Sequence, residues 1–208
     1  NQLSTLEEGC FTGLTALQWL YLTNNQLSTL EEGCFTGLTA LQELYINDNQ
    51  LSTLKEGCFK DLTALEWLDL SNNRLSTLEE GCFTGLTALK WLYLSYNQLT
   101  TLLDRGLSVD GDLYLEGCTG LTSLPESLSV GGDLYLKGCT GLTSLPEWVF
   151  ELGDTQYVDA TNTGIPVRLL EIYNHRQNEA GYSGPRIEFS ILDNQSSDDV
   201  TADQLPQR

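Results

Sequence analysis

The sequence predicts an α/β solenoid, a right-handed superhelix with a curved parallel β-sheet on its concave face. Three observations predict it: a literal internal repeat, an apolar pattern locked to that repeat, and a polar residue returning at one point of every copy. NQLSTLEEGCFTGLTALQ opens the chain and is written again, letter for letter, from Asn25. Self-similarity at a fixed period signals a stacked array of one supersecondary unit.

Asn1, Asn25, Asn49, Asn73 and Asn97 lie 24 residues apart, and each is followed two positions later by a leucine: Leu3, Leu27, Leu51, Leu75 and Leu99. Around Asn25 the order is LxxLxLxxNxL, carried by Leu17, Leu20, Leu22, Asn25 and Leu27. This is identified as the leucine-rich repeat signature. Leu20 and Leu22 alternate with Trp19 and Tyr21, so a short strand sends leucines into the core and aromatic rings to the outer side of the sheet. Asn25 falls at the turn that follows, where its amide can pair backbone groups that a buried bend would leave unsatisfied. Leu30, Phe35 and Leu38, with Leu54, Phe59, Leu62 and Leu78, Phe83, Leu86, close the convex side over the same core. One coil cannot bury both of its faces, so stability is shared between neighbours.

From Val109 the period shortens to 21 residues, and VDGDLYLEGCTGLTSLPESLS is followed by VGGDLYLKGCTGLTSLPEWVF. The unit becomes LxLxxCxxLxxLP, carried by Leu113, Leu115, Cys118, Leu121, Leu124 and Pro125 and then by Leu134, Leu136, Cys139, Leu142, Leu145 and Pro146. Strand and turn survive while the convex side is trimmed, which predicts a change of curvature between Leu102 and Val109 with no domain boundary. The sequence thus reads as one domain over 1–192, with 24-residue repeats to about 102 and 21-residue repeats over about 109–150, about seven coils in all. Cys10, Cys34, Cys58 and Cys82 recur 24 residues apart, whereas Cys118 and Cys139 take the turn position of the asparagines. A residue that recurs once per coil points the same way each time, so neighbouring thiols run side by side instead of meeting. All six are predicted to be small buried thiols, outside any disulfide or metal site.

After Pro146 the pattern loosens. YVDATNTGIP keeps a last strand, with Val158 and Ala160 inward and Thr163 at the turn position. Pro166 suits a first helical turn, Leu169, Leu170 and Tyr173 share one face, and Gly181 can end the helix. In PRIEFSIL the alternation of Ile187, Phe189 and Ile191 predicts an edge strand or capping extension, making a strand–helix–strand cap over 157–192. Residues 193–208 are too poor in apolar side chains to pack and read as a flexible tail or linker. Over roughly residues 109–193 the chain resembles the end of the repeat domain of bacterial effectors that carry a novel E3 ubiquitin ligase domain. The matching residues are Gly184, Pro185, Arg186, Ile187, Phe189 and Ser190. The resemblance implies a protein delivered into host cells, whose repeats recognise substrates and restrain the ligase. The ligase's own nucleophilic cysteine, in a Cys-x-Asp setting, has no counterpart in this chain, where every cysteine belongs to a repeat.

Aligning the strands makes columns on the concave face. One reads Trp19, Glu43, Trp67, Trp91, Asp112, Asp133 and Tyr157; the next reads Tyr21, Tyr45, Asp69, Tyr93, Tyr114, Tyr135 and Asp159. A third holds Thr23, Asn47, Ser71, Ser95, Glu116 and Lys137. Outward strand positions owe nothing to the core, so recurring indole and phenol rings there point either to an interface or to cross-strand packing of residues copied by duplication. The partner-binding set predicted from the columns is Trp19, Tyr21, Tyr45, Trp67, Asp69, Trp91, Tyr93, Asp112, Tyr114, Asp133 and Tyr135. Asp112 and Asp133 could in principle face each other as glycosidase carboxylates do, but copying of the repeat explains them better. His175, the single histidine, reads as a solvated helix residue.

The 208 residues carry 29 acidic against 10 basic side chains, a formal charge of −19. Such a chain repels nucleic acid and anionic lipid, and its expected partner is a protein with a basic or neutral surface. No apolar run is long enough to span a bilayer. The lack of methionine, with a first residue already inside a repeat, points to a mature or excised fragment. No catalytic step, cofactor or metal is expected. The predicted function is protein recognition on the concave face, either as the substrate-recognition domain of a secreted bacterial effector or as a self-sufficient extracellular or engineered binding module.

Overall fold

The computed structural model describes residues 1–102 and 107–190. The strands are β1 Trp19–Tyr21, β2 Glu43–Tyr45, β3 Thr53–Leu54, β4 Trp67–Asp69, β5 Thr77–Leu78, β6 Trp91–Tyr93, β7 Ser108–Val109, β8 Leu113–Tyr114, β9 Ser129–Val130, β10 Leu134–Tyr135, β11 Tyr157–Asp159 and β12 Arg186–Glu188. Eight of them form one parallel sheet in the order β1-β2-β4-β6-β8-β10-β11-β12. Each pairs with its equivalent one coil on, without slip: Leu20 with Leu44, Leu44 with Leu68, Leu68 with Leu92 and Leu92 with Leu113. The pairing of β6 with β8 carries the sheet unbroken across the point where the period shortens.

The central residue of each strand and its leucine neighbours make the core. Leu44, Ile46, Leu51, Leu54, Leu62 and Leu65 of the second and third coils are wholly buried. Each is worth roughly 1.5–3 kcal/mol of burial before the entropy of ordering it is subtracted. On the convex side Phe11, Phe35, Phe59 and Phe83 stack in a second file, with ring centroids 6.1, 5.9 and 6.2 Å apart. Two small parallel ladders, β3 with β5 and β7 with β9, tie the convex segments together. The sequence reading missed both, because two-residue strands such as Thr77–Leu78 carry no alternation to detect.

The turn after each strand is held by the predicted asparagine ladder. Asn73 Nδ2 donates to the carbonyls of Leu70 in its own coil (3.0 Å) and Ile46 in the preceding one (3.1 Å). Its Oδ1 accepts the Leu51 N–H at 3.0 Å. Asn49 and Asn97 repeat the pattern. In the shorter coils a thiol makes the same reach: Cys118 Sγ donates to Leu94 O (3.4 Å) and Cys139 Sγ to Leu115 O (3.1 Å). Thr163 closes the series by donating to Ala160 O at 3.0 Å, within its own coil. The residue before each rung is left-handed throughout: Asn24, Asp48, Asn72, Tyr96, Gly117, Gly138 and Asn162 all have positive φ.

Five of the six cysteines are buried, and no disulfide forms among the described residues. Cys10 departs from the prediction of burial: it is exposed, on the outer side of the first described coil. Leu3 and Leu14 of the same coil are exposed as well. Burial pushes the Cys34 and Cys139 thiols up to about 12.

At the other end, a 3-10 turn over Glu147–Glu151 and helix α1, Val167–Gln177, cover the last coil. Leu170 is buried, with Leu169 and Tyr173 packed beside it on the same face. Pro166 sits one residue earlier than predicted, as the N-cap. The helix stops at Gln177, well short of Gly181, because Asn178 turns back with its side-chain amide on Asn174 O at 2.7 Å. Arg176 pairs with Glu147 and lies over the Phe150 ring, 4.4 Å from its centroid. β12 is the edge strand foreseen in PRIEFSIL, but it spans only three residues. Its Ile187 N–H, which points away from β11, donates to Gln177 Oε1 at 2.8 Å, so the helix satisfies one donor of the open edge. Ile191 and the tail from 193 lie outside the described residues.

Two outcomes follow. Asn73→Ala leaves the buried Leu51 N–H unpaired and removes one of the two amide donors from Leu70 O and Ile46 O, which keep Asn97 and Asn49, and lowers stability by about 2 kcal/mol in urea denaturation, whereas Asn25→Ala, at the partly exposed first rung, costs about 1 kcal/mol. With a disulfide reagent at mildly alkaline pH, the native chain reacts at Cys10 and protects its other thiols until it is unfolded.

Candidate functional site

Zero register slip dictates the inner wall. Every outward side chain stands directly beside its equivalent on the next strand, about 4.8 Å away, close to the stacking distance of aromatic rings. The predicted columns are the observed ones. Trp19, Glu43, Trp67 and Trp91 run through paired positions, and Tyr21, Tyr45, Asp69, Tyr93, Tyr114, Tyr135 and Asp159 through another set. β12 extends both, placing Arg186 beside Tyr157 and Glu188 beside Asp159.

The tyrosine column stacks in two runs. Tyr21 and Tyr45 lie 4.7 Å apart, Tyr93 and Tyr114 4.1 Å, and Tyr114 and Tyr135 4.4 Å, all nearly parallel. Asp69 interrupts the series, and Trp67 leans across from its own column to fill the gap, 6.0 Å from Tyr45 and 4.7 Å from Tyr93. The Asp69 carboxylate, partly covered as a result, is raised above its ordinary value by desolvation, partly offset by the Ser71 N–H it accepts at 2.9 Å. Trp91 stands 5.6 Å from Trp67. Trp19 and Tyr21, on the first strand, are the most open rings of the predicted set, at 51% and 64% exposure.

Carboxylates line the rings. Tyr45 donates to Glu43 Oε2 at 2.9 Å, and Tyr114 and Tyr135 donate to Asp112 and Asp133, each at 3.3 Å. Tyr157 donates to Glu188 at 2.6 Å. Desolvation raises the phenols of Tyr45, Tyr114 and Tyr135, the last to about 12, and the neighbouring carboxylates add to the effect. Asp112 and Asp133 have a second task that the columns alone did not reveal. Asp112 Oδ1 accepts the Asp133 N–H and Asp133 Oδ1 accepts the Tyr157 N–H, both at 2.8 Å, so these side chains also stitch successive short coils together. Both oxygens of each are therefore engaged, one by main chain and one by a phenol. His175 is exposed on α1. Among the described residues, no three His, Cys, Asp or Glu side chains gather closely enough to hold a metal ion.

Tyr96 was missed. It occupies the left-handed position before the Asn97 rung with φ 57° and 60% exposure, where other coils use asparagine, aspartate or glycine. Its ring lies against Gly117, where a Cβ would come within 2.6 Å of Tyr96 Cδ1. The signal was present in the run Asn24, Asp48, Asn72, Tyr96, which only a column drawn through the turns would have shown.

The leucine rich repeat family model matches residues 1–51 and 40–99. Among curated proteins none matches the sequence. The leucine-rich repeat domain of a Shigella effector has a similar structure, with a TM-score of 0.56 and 22% identity over 92% of this chain and 69% of that one. A chain of the Drosophila Toll–Spatzle complex is similar at a TM-score of 0.64 and 26% identity, over 90% of this chain but only 25% of that one. TLR13, solved with ssRNA13, gives 0.52 and 21% over 89% and 39%. No helix among the described residues is long and apolar enough to cross a membrane.

The raised thiols and phenols set a pH dependence. In the unfolded chain Cys34 and Cys139 ionise near 9.0 and Tyr135 near 10.0, but each only near about 12 when folded. Between those limits the unfolded state has released protons that the folded state still holds, so stability falls as pH rises. Their contribution is complete below pH 9 and is lost as pH climbs through 12. Urea midpoints measured across this window should decline steadily, and Cys34→Ala with Cys139→Ala should flatten the early part of the decline.

Proposed function

We propose that the inner wall of this solenoid, whose first half matches the leucine rich repeat family model, recognises a protein partner. The observation that carries this reading is the file of rings on outward positions from Tyr21 to Tyr135, with Trp67 bridging the gap at Asp69, on a face that the core does not use. Tyrosine and tryptophan anchors of this kind, set on a rigid sheet, lose little conformational entropy when a partner covers them. The anchors are Trp19, Tyr21, Tyr45, Trp67, Trp91 and Tyr93, with Asp69, Asp112, Tyr114, Asp133 and Tyr135 completing the surface. The partner is a protein with a basic or neutral surface, in keeping with the chain's charge of −19.

We further propose that the module serves a secreted bacterial effector, recognising host proteins after delivery into the host cell, and performs no chemistry itself. Two things support this: the resemblance of residues 184–190 to the closing segment of ligase-bearing effectors, and the fold shared with the Shigella effector domain. Gly184 fits a closing role, since a Cβ there would collide with the Phe150 carbonyl of the last coil.

The test is capture from host-cell lysate by the intact chain and by a Trp67→Ala, Trp91→Ala double variant shown to melt normally. Loss of the captured protein in the variant is the expected result, by about tenfold or more for two central anchors. Equal capture by both chains removes the inner wall from consideration.

A further inference from the structure

The inner wall holds tyrosines in pairs that meet face to face. Tyr93 and Tyr114 have ring centroids 4.1 Å apart and planes 8° from parallel, and Tyr114 and Tyr135 stand at 4.4 Å and 3°. Tyr21 and Tyr45 repeat the arrangement at 4.7 Å and 6°. The strands pair without slip, so each partner is the same residue one coil on, and the ring carbons flanking the two hydroxyls lie opposite one another. After desolvation, the Tyr93 hydroxyl is the next cause of the raised Tyr114 phenol, which places those two hydroxyls side by side. Other tyrosines lack this geometry. Tyr157 meets Tyr135 edge-on, at 6.2 Å and 62°, and Tyr96 lies over Gly117 with no second tyrosine on its face.

Three of the stacked rings also carry a base at the hydroxyl. Tyr114 and Tyr135 donate to Asp112 Oδ2 and Asp133 Oδ2 at 3.3 Å, and Tyr45 donates to Glu43 Oε2 at 2.9 Å. These phenols are held neutral, chiefly by desolvation, so an electron taken from one of them leaves together with its proton. A carboxylate already within hydrogen-bond reach receives that proton without any movement of the wall.

We propose that the tyrosine column is a site of oxidative modification, at which a diffusible one-electron oxidant joins Tyr93 to Tyr114, Tyr114 to Tyr135 and Tyr21 to Tyr45 as dityrosine. For each link, two rings give one electron each to two equivalents of oxidant. Their phenolic protons pass to Asp112, Asp133 or Glu43 where these accept the hydroxyl, and otherwise to water. The two phenoxyl radicals combine through the carbons beside the oxygens, along the face-to-face direction that the stack already provides. The hydrogen on each joined carbon then moves to oxygen through water, which restores two phenols. One carbon–carbon bond has formed, two carbon–hydrogen bonds have broken, and two electrons and two protons have left. The product closes a loop one coil long and restrains the unfolded chain as a disulfide of that span would. No disulfide supplies such a tie among the described residues.

The experiment treats the dilute full chain with photogenerated ruthenium(III) tris-bipyridine, with persulfate as the electron acceptor. Disulfides formed through the exposed Cys10 are then reduced, and the links are read by dityrosine fluorescence and by mass spectrometry of joined peptides. Expected are links within one chain between Tyr93 and Tyr114 and between Tyr114 and Tyr135, each with the loss of two hydrogens. Their yield should exceed that of the urea-unfolded chain by about tenfold, because contact in the stack replaces a chance encounter. Tyr114→Phe keeps a stacked ring without its phenol and should remove both links while sparing Tyr21 to Tyr45. Tyr135→Phe should remove one and leave Tyr93 joined to Tyr114, and thermal melts establish that each variant folds. Links that fall chiefly on Tyr96 or between chains, a yield unchanged by unfolding, or no dityrosine at all overturns the proposal.

Discussion

Each coil of this protein bends sharply behind its strand, and the bend is buried, so its backbone groups must be paired from one coil to the next. Everything else depends on that constraint. Asparagine meets it best, since one amide donates to two coils and accepts from one of them, as Asn73 does with Leu70, Ile46 and Leu51. When the period shortens, Cys118 and Cys139 retain only the reach back to the preceding coil. The lost tie is made up on the other side of the strand, where Asp112 and Asp133 bind the main chain of the coil that follows. The two kinds of repeat are thus two ways of satisfying the same buried groups.

The same pairing fixes the register, and the register makes the surface. Because the strands do not slip, a tyrosine copied with its repeat lands on its own copy. The rings spend their faces on one another, leaving edges, hydroxyls and carboxylates along the outer surface. A face built this way is rigid before anything binds, which reduces the ordering cost of recognition. It also lets aromatic packing coexist with the partner binding proposed above: cross-strand stacking holds the rings in place without hiding their outer rims.

The repeat period, the leucine core, the asparagine rungs, the inner-wall columns and the closing helix were all legible from spacing, because a solenoid maps sequence period directly onto spatial neighbourhood. Legibility failed where a coil departs from its neighbours and at the ends of the described array. Periodicity predicts a buried Cys10, but position within the repeat does not report exposure at the outer side of the first described coil. The end of α1 was assigned to Gly181, whereas a local bond from Asn178 to Asn174 stops it earlier. The ladders of β3 with β5 and β7 with β9 are too short for alternation to mark.

By itself the sequence determined the architecture and the membership of each column, since equal spacing forces equal position in a stacked array. Only the tertiary structure decided how side chains of unequal size share that position. Trp67 tilts into the space left by the shorter Asp69, Tyr96 folds over Gly117, and the polar atoms of Asn47, Trp67 and Ser95 are left without partners. These outcomes depend on side-chain volume and reach between coils, quantities that a period does not encode.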